Sequence, residues 1–164
     1  GNPLHMETDV SAMIHPAEVE RIQKWIEETK KQGAVVATGA QFTERTCTPT
    51  VMTNVKPDMR IACEETFAPI VSIVPYETLD EAIALVNDST LGLNAGIYTN
   101  VLTDAMIAAE ELEVGAVMIN DIPTFRVDHM PYGGVKMSGY GREGIKYAIE
   151  EMTELKFITM KLEF

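Results

Sequence analysis

Between residues 35 and 119 short apolar runs of β type alternate with amphipathic helical stretches, and that alternation constrains the fold more than any other feature. Ala34-Val35-Val36-Ala37-Thr38 and Thr50-Val51-Met52 read as short strands. Ile70-Val71-Ser72-Ile73-Val74 is nearly continuous apolar sequence, the pattern of a strand buried on both faces. Thr78 and Glu81 form a capping-box pattern, and Leu79, Ala82, Ile83 and Val86 behind them mark a short amphipathic helix. Residues 92–99 read as strand, 103–113 as helix and 115–119 as another buried strand. Such spacing predicts an α/β fold: a parallel-type sheet with helical crossovers.

Flanking elements extend this pattern. A helix is expected over 16–32, because Pro16 suits a first helical position and Val19, Ile22 and Ile26 recur at helical spacing. Lys30 and Lys31 suit the negative end of its dipole, and Gly33 can close it in the left-handed conformation. Residues 39–47 read as a polar loop, and 120–142, rich in Pro and Gly, as a long one of the kind that usually serves function. A helix over 142–152 and a strand over 155–162 complete the chain, the strand carrying Ile158, Met160 and Leu162 on one face.

Composition narrows the function. With 13 basic and 25 acidic residues the net charge is −12, which argues against nucleic acid and against a polybasic membrane anchor. No apolar run approaches the roughly 18 residues of a membrane span. At 164 residues one domain is the natural expectation. Two cysteines, Cys47 and Cys63, suit a reducing compartment, so a cytoplasmic location is expected. The opening Gly1-Asn2-Pro3-Leu4 reads as a cut end, so the chain is expected to be a piece of something longer.

Several motifs resemble chemistry without supporting it. Gly139-Tyr140-Gly141-Arg142-Glu143-Gly144 matches the dinucleotide fingerprint, but no strand precedes it and no βαβ unit follows. It reads as a turn feeding a helix. Glu64 and Glu65 beside Cys63 disfavour a thiolate, and Cys47 has no histidine nearby, so neither is expected to be a nucleophile. His5, His15 and His129 are too scattered for a metal site.

Glu64-Glu65-Thr66-Phe67-Ala68-Pro69 resembles the E-E-x-F-G-P motif of the NAD(P)-dependent aldehyde dehydrogenase superfamily, with Ala68 where Gly is commoner. Pro49-Thr50-Val51, Leu91-Gly92-Leu93, Gly115-Ala116-Val117-Met118-Ile119-Asn120 and Pro131-Tyr132-Gly133-Gly134-Val135-Lys136-Met137-Ser138-Gly139 resemble that family too, in its order and across the whole chain. The resemblance implies the C-terminal part of such an enzyme: residues 1–153 as a partial catalytic domain and 154–164 as an oligomerisation strand pairing with a neighbouring subunit. It implies a nucleophilic Cys, a general-base Glu, an oxyanion-hole Asn and a coenzyme domain upstream of Gly1, so no catalytic residue is assigned here and the isolated chain is expected to be inactive. The implied reaction oxidises an aldehyde to a carboxylic acid with NAD or NADP. A thiolate attacks the aldehyde, hydride passes to the nicotinamide, and water hydrolyses the thioester.

The resemblance places Glu65 at the hydroxyls of the nicotinamide ribose and Phe67 beside the nicotinamide. Residues two apart in extended backbone face the same way, so the pair can meet one ligand, and Pro69 biases Ala68 toward extended geometry. Phe125 falls in the loop that lines the family's aldehyde tunnel. Arg126 and His129 are basic groups in the same loop, and a guanidinium there could pair with a substrate carboxylate or phosphate. A solvated Glu65, a core Phe67 and an Arg126 in a surface ion pair are the plainer alternatives. A different function class is a non-catalytic module that associates through its terminal strand.

Overall fold

The computed structural model describes residues 1–162, and the chain divides into two compact units, Gly1–Tyr76 and Glu77–Phe164. Its elements are mixed α/β, as the alternation predicts.

The first unit is organised by α1 (Pro16–Lys31). Pro16 begins it, and the His15 side chain caps it by accepting from the Ala17 N–H at 3.1 Å. Its C-terminus is a complete Schellman closure: Gly33, at φ +104, donates to the Lys30 carbonyl and Ala34 to that of Thr29. Between these ends Val19, Ile22, Trp25, Ile26 and Thr29 form the buried face. They pack on Met13, Ala34, Cys47, Met52, Val55, Met59 and Ile61. Full burial of one such aliphatic side chain contributes about 1.5–3 kcal/mol. Thr29 sits in this core without penalty because its hydroxyl donates to the Trp25 carbonyl at 2.7 Å.

Beside the helix lies a three-stranded sheet in the order β1-β2-β3, with β1 (Val35–Thr38), β2 (Thr50–Thr53) and β3 (Ile70–Ser72). β1 and β2 are antiparallel, with a bulge between Val36 and Thr38; β2 and β3 are parallel, pairing Thr50 with Ile70. A one-turn helix, α2 (Arg60–Cys63), precedes the crossover segment that leads to β3. β3 is not buried on both faces as its sequence predicts. Val71 and Ile73 are 60% and 48% exposed. Only one face of β3 is covered: side chains alternate along a strand, so Ile70 and Val74 pack against the core while Val71 and Ile73 face away from it.

In the second unit the parallel strands β5 (Asn94–Ile97) and β6 (Ala116–Ile119) are joined by α4 (Leu102–Glu111), a βαβ crossover in continuous register from Asn94↔Ala116 to Ile97↔Ile119. α3 (Leu79–Asn87) precedes them, with the Thr78 hydroxyl accepting from the Glu81 N–H as the capping pattern requires. The strand expected over 92–99 is divided at Leu93: β4 (Leu91–Gly92) pairs antiparallel with β7 (Val135–Lys136), and β5 pairs with β6. So the sheet is not a single parallel one; three small sheets, two of them containing or consisting of antiparallel pairs, take its place. The long loop over 120–142 is therefore tied down, by β7 and by a bridge between Tyr132 and Glu143. Gly115 permits this: a Cβ there would run into the Gly133 carbonyl.

α5 (Ile145–Met152) is the last helix. No strand forms over 155–162, where one was expected: 153–162 has no regular structure. Residues 163 and 164 of the expected 154–164 segment lie outside the described residues. Among the described residues no helix is long and apolar enough to cross a membrane.

Candidate functional site

The turn carrying Glu65 and Phe67 lies in the first unit, between α2 and β3. α2 stops at Glu64, whose N–H donates to the Arg60 carbonyl at 2.9 Å. Glu65 is exposed and, among the described residues, has neither a hydrogen-bond nor an ion-pair partner. Phe67 is 78% exposed, so it is not a core residue. The extended backbone expected across this pair does not hold: Phe67 has φ +47. The residue before Pro69 is indeed restricted by the proline ring, but that restriction does not reach back to Phe67. A bulky residue in the left-handed region persists only where its surroundings hold it there.

The surroundings are specific. Arg21, on α1, donates from Nη2 to the Thr66 carbonyl at 2.8 Å, 45 positions away in sequence. Its Nε donates to Glu18 at 2.7 Å, and its guanidinium lies 4.3 Å from the centroid of the Trp25 ring. Arg60 lies 5.6 Å from the same centroid and pairs through Nε with Glu64 at 3.3 Å. None of Arg21, Trp25 and Arg60 stands out in the sequence as a site residue, because what joins them to the turn is long-range packing.

The loop expected to meet substrate lies in the second unit. A cleft of about 350 Å³ is lined by Leu93, Asn94, Pro123, Thr124, Arg126 and Tyr132. Arg126 thus reaches a concavity, with its guanidinium 4.6 Å from the Tyr132 ring centroid. Phe125 and His129 are exposed on the same loop. Arg126 does have a carboxylate partner, Glu143, with Nη2 to Oε2 at 3.3 Å, but both side chains are about half exposed or more. Water screens such a pair to roughly 0–1 kcal/mol, so the cation remains open to another anion. Tyr132 and Asn94 escaped the sequence reading. Asn94 Oδ1 is buried with no donor among the described residues; Tyr132 was visible only within a resemblance motif.

Neither thiol is set up as a nucleophile. Cys47 is 2% exposed, and burial pushes its thiol above the usual value, the Thr50 hydroxyl offsetting part of the effect. The Cys63 thiol donates to the Pro57 carbonyl at 2.8 Å. The glycine hexapeptide at 139–144 is a turn ahead of α5, with Gly139, Gly141 and Gly144 at φ +121, +76 and +121. Arg142 inside it donates to the Gly134 and Gly141 carbonyls rather than leaving the loop free to cradle a phosphate.

Comparison with known proteins identifies relatives of the whole chain. The model of the aldehyde dehydrogenase family matches residues 1–158. A 3-sulfolactaldehyde dehydrogenase of Priestia megaterium is 49% identical over 162 residues, covering 99% of this chain and 34% of that protein. Among solved structures, aldehyde dehydrogenase 21 of Physcomitrella patens, in complex with the reaction product succinate, is 38% identical with a TM-score of 0.90, covering 94% of this chain and 32% of that one. The glyceraldehyde-3-phosphate dehydrogenase GapN of Methanocaldococcus jannaschii, complexed with NADP, is 40% identical with a TM-score of 0.90, covering 95% and 34%. The chain spans about a third of the length of these relatives.

Proposed function

The chain belongs to the aldehyde dehydrogenase family, and from that premise we propose that the protein carrying it oxidises an aldehyde to a carboxylic acid with NAD or NADP. Related structures hold NADP in one case and NAD+ in another. One observation carries the coenzyme reading: a carboxylate without a partner among the described residues stands two residues from an exposed aromatic ring on disfavoured backbone. Glu65 can accept from two ribose hydroxyls at once, and the Phe67 ring offers a flat apolar face to the nicotinamide end. The bound dinucleotide supplies the hydride acceptor; these residues orient it. The catalytic thiol, general base and coenzyme domain belong to the upstream part of the protein. Residues 1–153 serve as part of the catalytic domain. The test is aldehyde-dependent formation of NADH or NADPH. The intact protein should show it and the 164-residue chain should not; turnover by the chain alone would falsify the fragment reading.

At the substrate end, the Phe125, Arg126 and His129 loop receives the aldehyde, with Arg126 recognising an acidic group on it. Two of the three relatives above carry one in their names, as a sulfo or a phosphate group, and the third was solved with its reaction product succinate bound. A guanidinium braced on Tyr132 at the wall of a small cleft fits such a group. In the intact enzyme Arg126→Met should lower kcat/KM for an anionic aldehyde about 10- to 100-fold more than for a neutral one of the same size, the loss of one charge-assisted contact. An equal change for both removes Arg126 from substrate recognition.

A second reading has its own support. Leu155, Phe157, Ile158, Met160 and Leu162 are all more than half exposed in a terminal segment that forms no regular strand among the described residues. Residues 154–164 accordingly act as the strand through which copies of the protein associate, a homo-oligomer contact made by adding to a neighbouring sheet edge. A non-catalytic assembly module would retain this segment and lack a coenzyme-dependent activity. The two free cysteines fit action in the cytoplasm.

A further inference from the structure

We propose that Arg21 is a positioning residue for the coenzyme site, and that α1, through the Trp25 ring, is the template on which the Glu65–Phe67 turn is set. The inference rests on the coenzyme reading of Glu65 and Phe67. Glu65 itself has no partner among the described residues, yet both of its neighbours are tied down. On one side the Glu64 carboxylate is held by Arg60, whose Nη1 also reaches Glu28 of α1 at 3.5 Å. On the other side the Thr66 carbonyl is held by Arg21. The two guanidiniums share the Trp25 ring, and Trp25 is 7% exposed and anchored in the core of the unit. So the turn is referenced, through two cations and one fixed aromatic ring, to the most deeply packed helix of the unit.

Of the two ties the Arg21 contact is the more rigid. The Arg21 side chain is 27% exposed, against 51% for Arg60, and its contacts to Glu18 and the Thr66 carbonyl, at 2.7 and 2.8 Å, are shorter than those of Arg60 to Glu64 and Glu28, at 3.3 and 3.5 Å. A planar fork satisfied at both prongs and braced on an aromatic face has little freedom left. The Thr66 carbonyl belongs to the peptide bond that leads directly into Phe67. Fixing that oxygen fixes the plane from which the Phe67 backbone departs at φ +47. Without it the turn can relax toward ordinary dihedrals, and the ring swings away from the direction in which Glu65 points its carboxylate to solvent. Arg21 touches neither coenzyme nor substrate; it acts through Phe67.

The experiment uses the intact enzyme and reads KM for coenzyme separately from KM for aldehyde. Arg21→Met should raise the coenzyme KM about 5- to 20-fold with the aldehyde KM within about twofold, because only the pre-organisation of one binding turn is lost. Arg21→Lys keeps the charge over Trp25 but not the two-pronged contact, and should restore part of the loss. If Arg21 works through Phe67, the double variant R21M/F67A should bind coenzyme no worse than F67A alone. Both Arg21 variants leaving the coenzyme KM unchanged, while E65Q and F67A raise it, overturns the positioning role and leaves the coenzyme reading standing. A fall in melting temperature and in active fraction with an unchanged coenzyme KM makes Arg21 merely structural and likewise overturns it. E65Q and F67A leaving the coenzyme KM unchanged sinks the coenzyme reading, and this inference with it.

Discussion

Replacing Phe67 with glycine separates what the fold needs from what a ligand needs. A bulky residue at φ +47 carries about 1–2 kcal/mol of strain, which glycine removes. Glycine in turn gives the unfolded chain more freedom, worth about 0.5–1 kcal/mol against folding. The ring is 78% exposed. Roughly a fifth of its surface is therefore at stake, about 0.5 kcal/mol out of the 1.5–3 kcal/mol that full burial would contribute. The three terms nearly cancel, so F67G should lie within about 1 kcal/mol of the parent in stability. Trp25, the chain's single tryptophan, is buried in the core of the same unit, so its fluorescence during urea unfolding reports this unit directly. In the intact enzyme the same variant should bind NAD or NADP several-fold more weakly, having lost both ring and backbone direction. A stability loss above about 2 kcal/mol would mean that Phe67 is a packing residue after all, beyond what a mostly exposed side chain can contribute, and the reasoning fails.

Three further outcomes follow from local packing. Gly115→Ala drives a methyl group into the Gly133 carbonyl and should lower the stability of the second unit by more than about 2 kcal/mol, measured by denaturant unfolding. Brief treatment of the folded chain with iodoacetamide should alkylate exposed Cys63 and spare buried Cys47, with both modified in denaturant; equal labelling in the folded chain contradicts the packing of Cys47. Burial raises the folded Cys47 thiol above its ordinary value of 9.0. Its contribution is therefore fully present below pH 9.0, and it is lost as pH rises from there toward the folded value, where the unfolded state has already released its proton. Cys47→Ala should flatten that alkaline decline in melting temperature, and an identical decline in parent and variant contradicts the assignment.

Legibility in the sequence followed the range of the interaction. α1 was readable from end to end because its start, its apolar stripe and its Gly33 closure are local features. The Thr78–Glu81 cap was readable for the same reason. What β3 buries was not, since a continuous apolar run does not say whether a strand is central or at an edge. Leu93 breaks a run that looks uniform, because the strands on either side of it choose different partners. The terminal segment has a strand's pattern but forms no strand among the described residues, and pattern alone does not make one.

The candidate site shows the same division. Glu65, Phe67 and Arg126 were identified by type and motif, and the structure leaves the first two exposed and brings the third to a cleft. The left-handed turn at Phe67 was missed, because Pro69 argued for extended backbone and the force that decides otherwise comes from Arg21, on another element. Tyr132 beneath Arg126 was missed because cation–ring contacts leave no spacing signature in a loop.

A structure of the intact protein with NAD or NADP bound decides most directly whether this turn receives the dinucleotide. The Glu65 carboxylate should lie within about 2.5–3.2 Å of the nicotinamide-ribose hydroxyls, with the Phe67 ring against the nicotinamide end. A bound dinucleotide that leaves both side chains packed under another stretch of the same protein, out of reach of its ribose and its ring, contradicts the account.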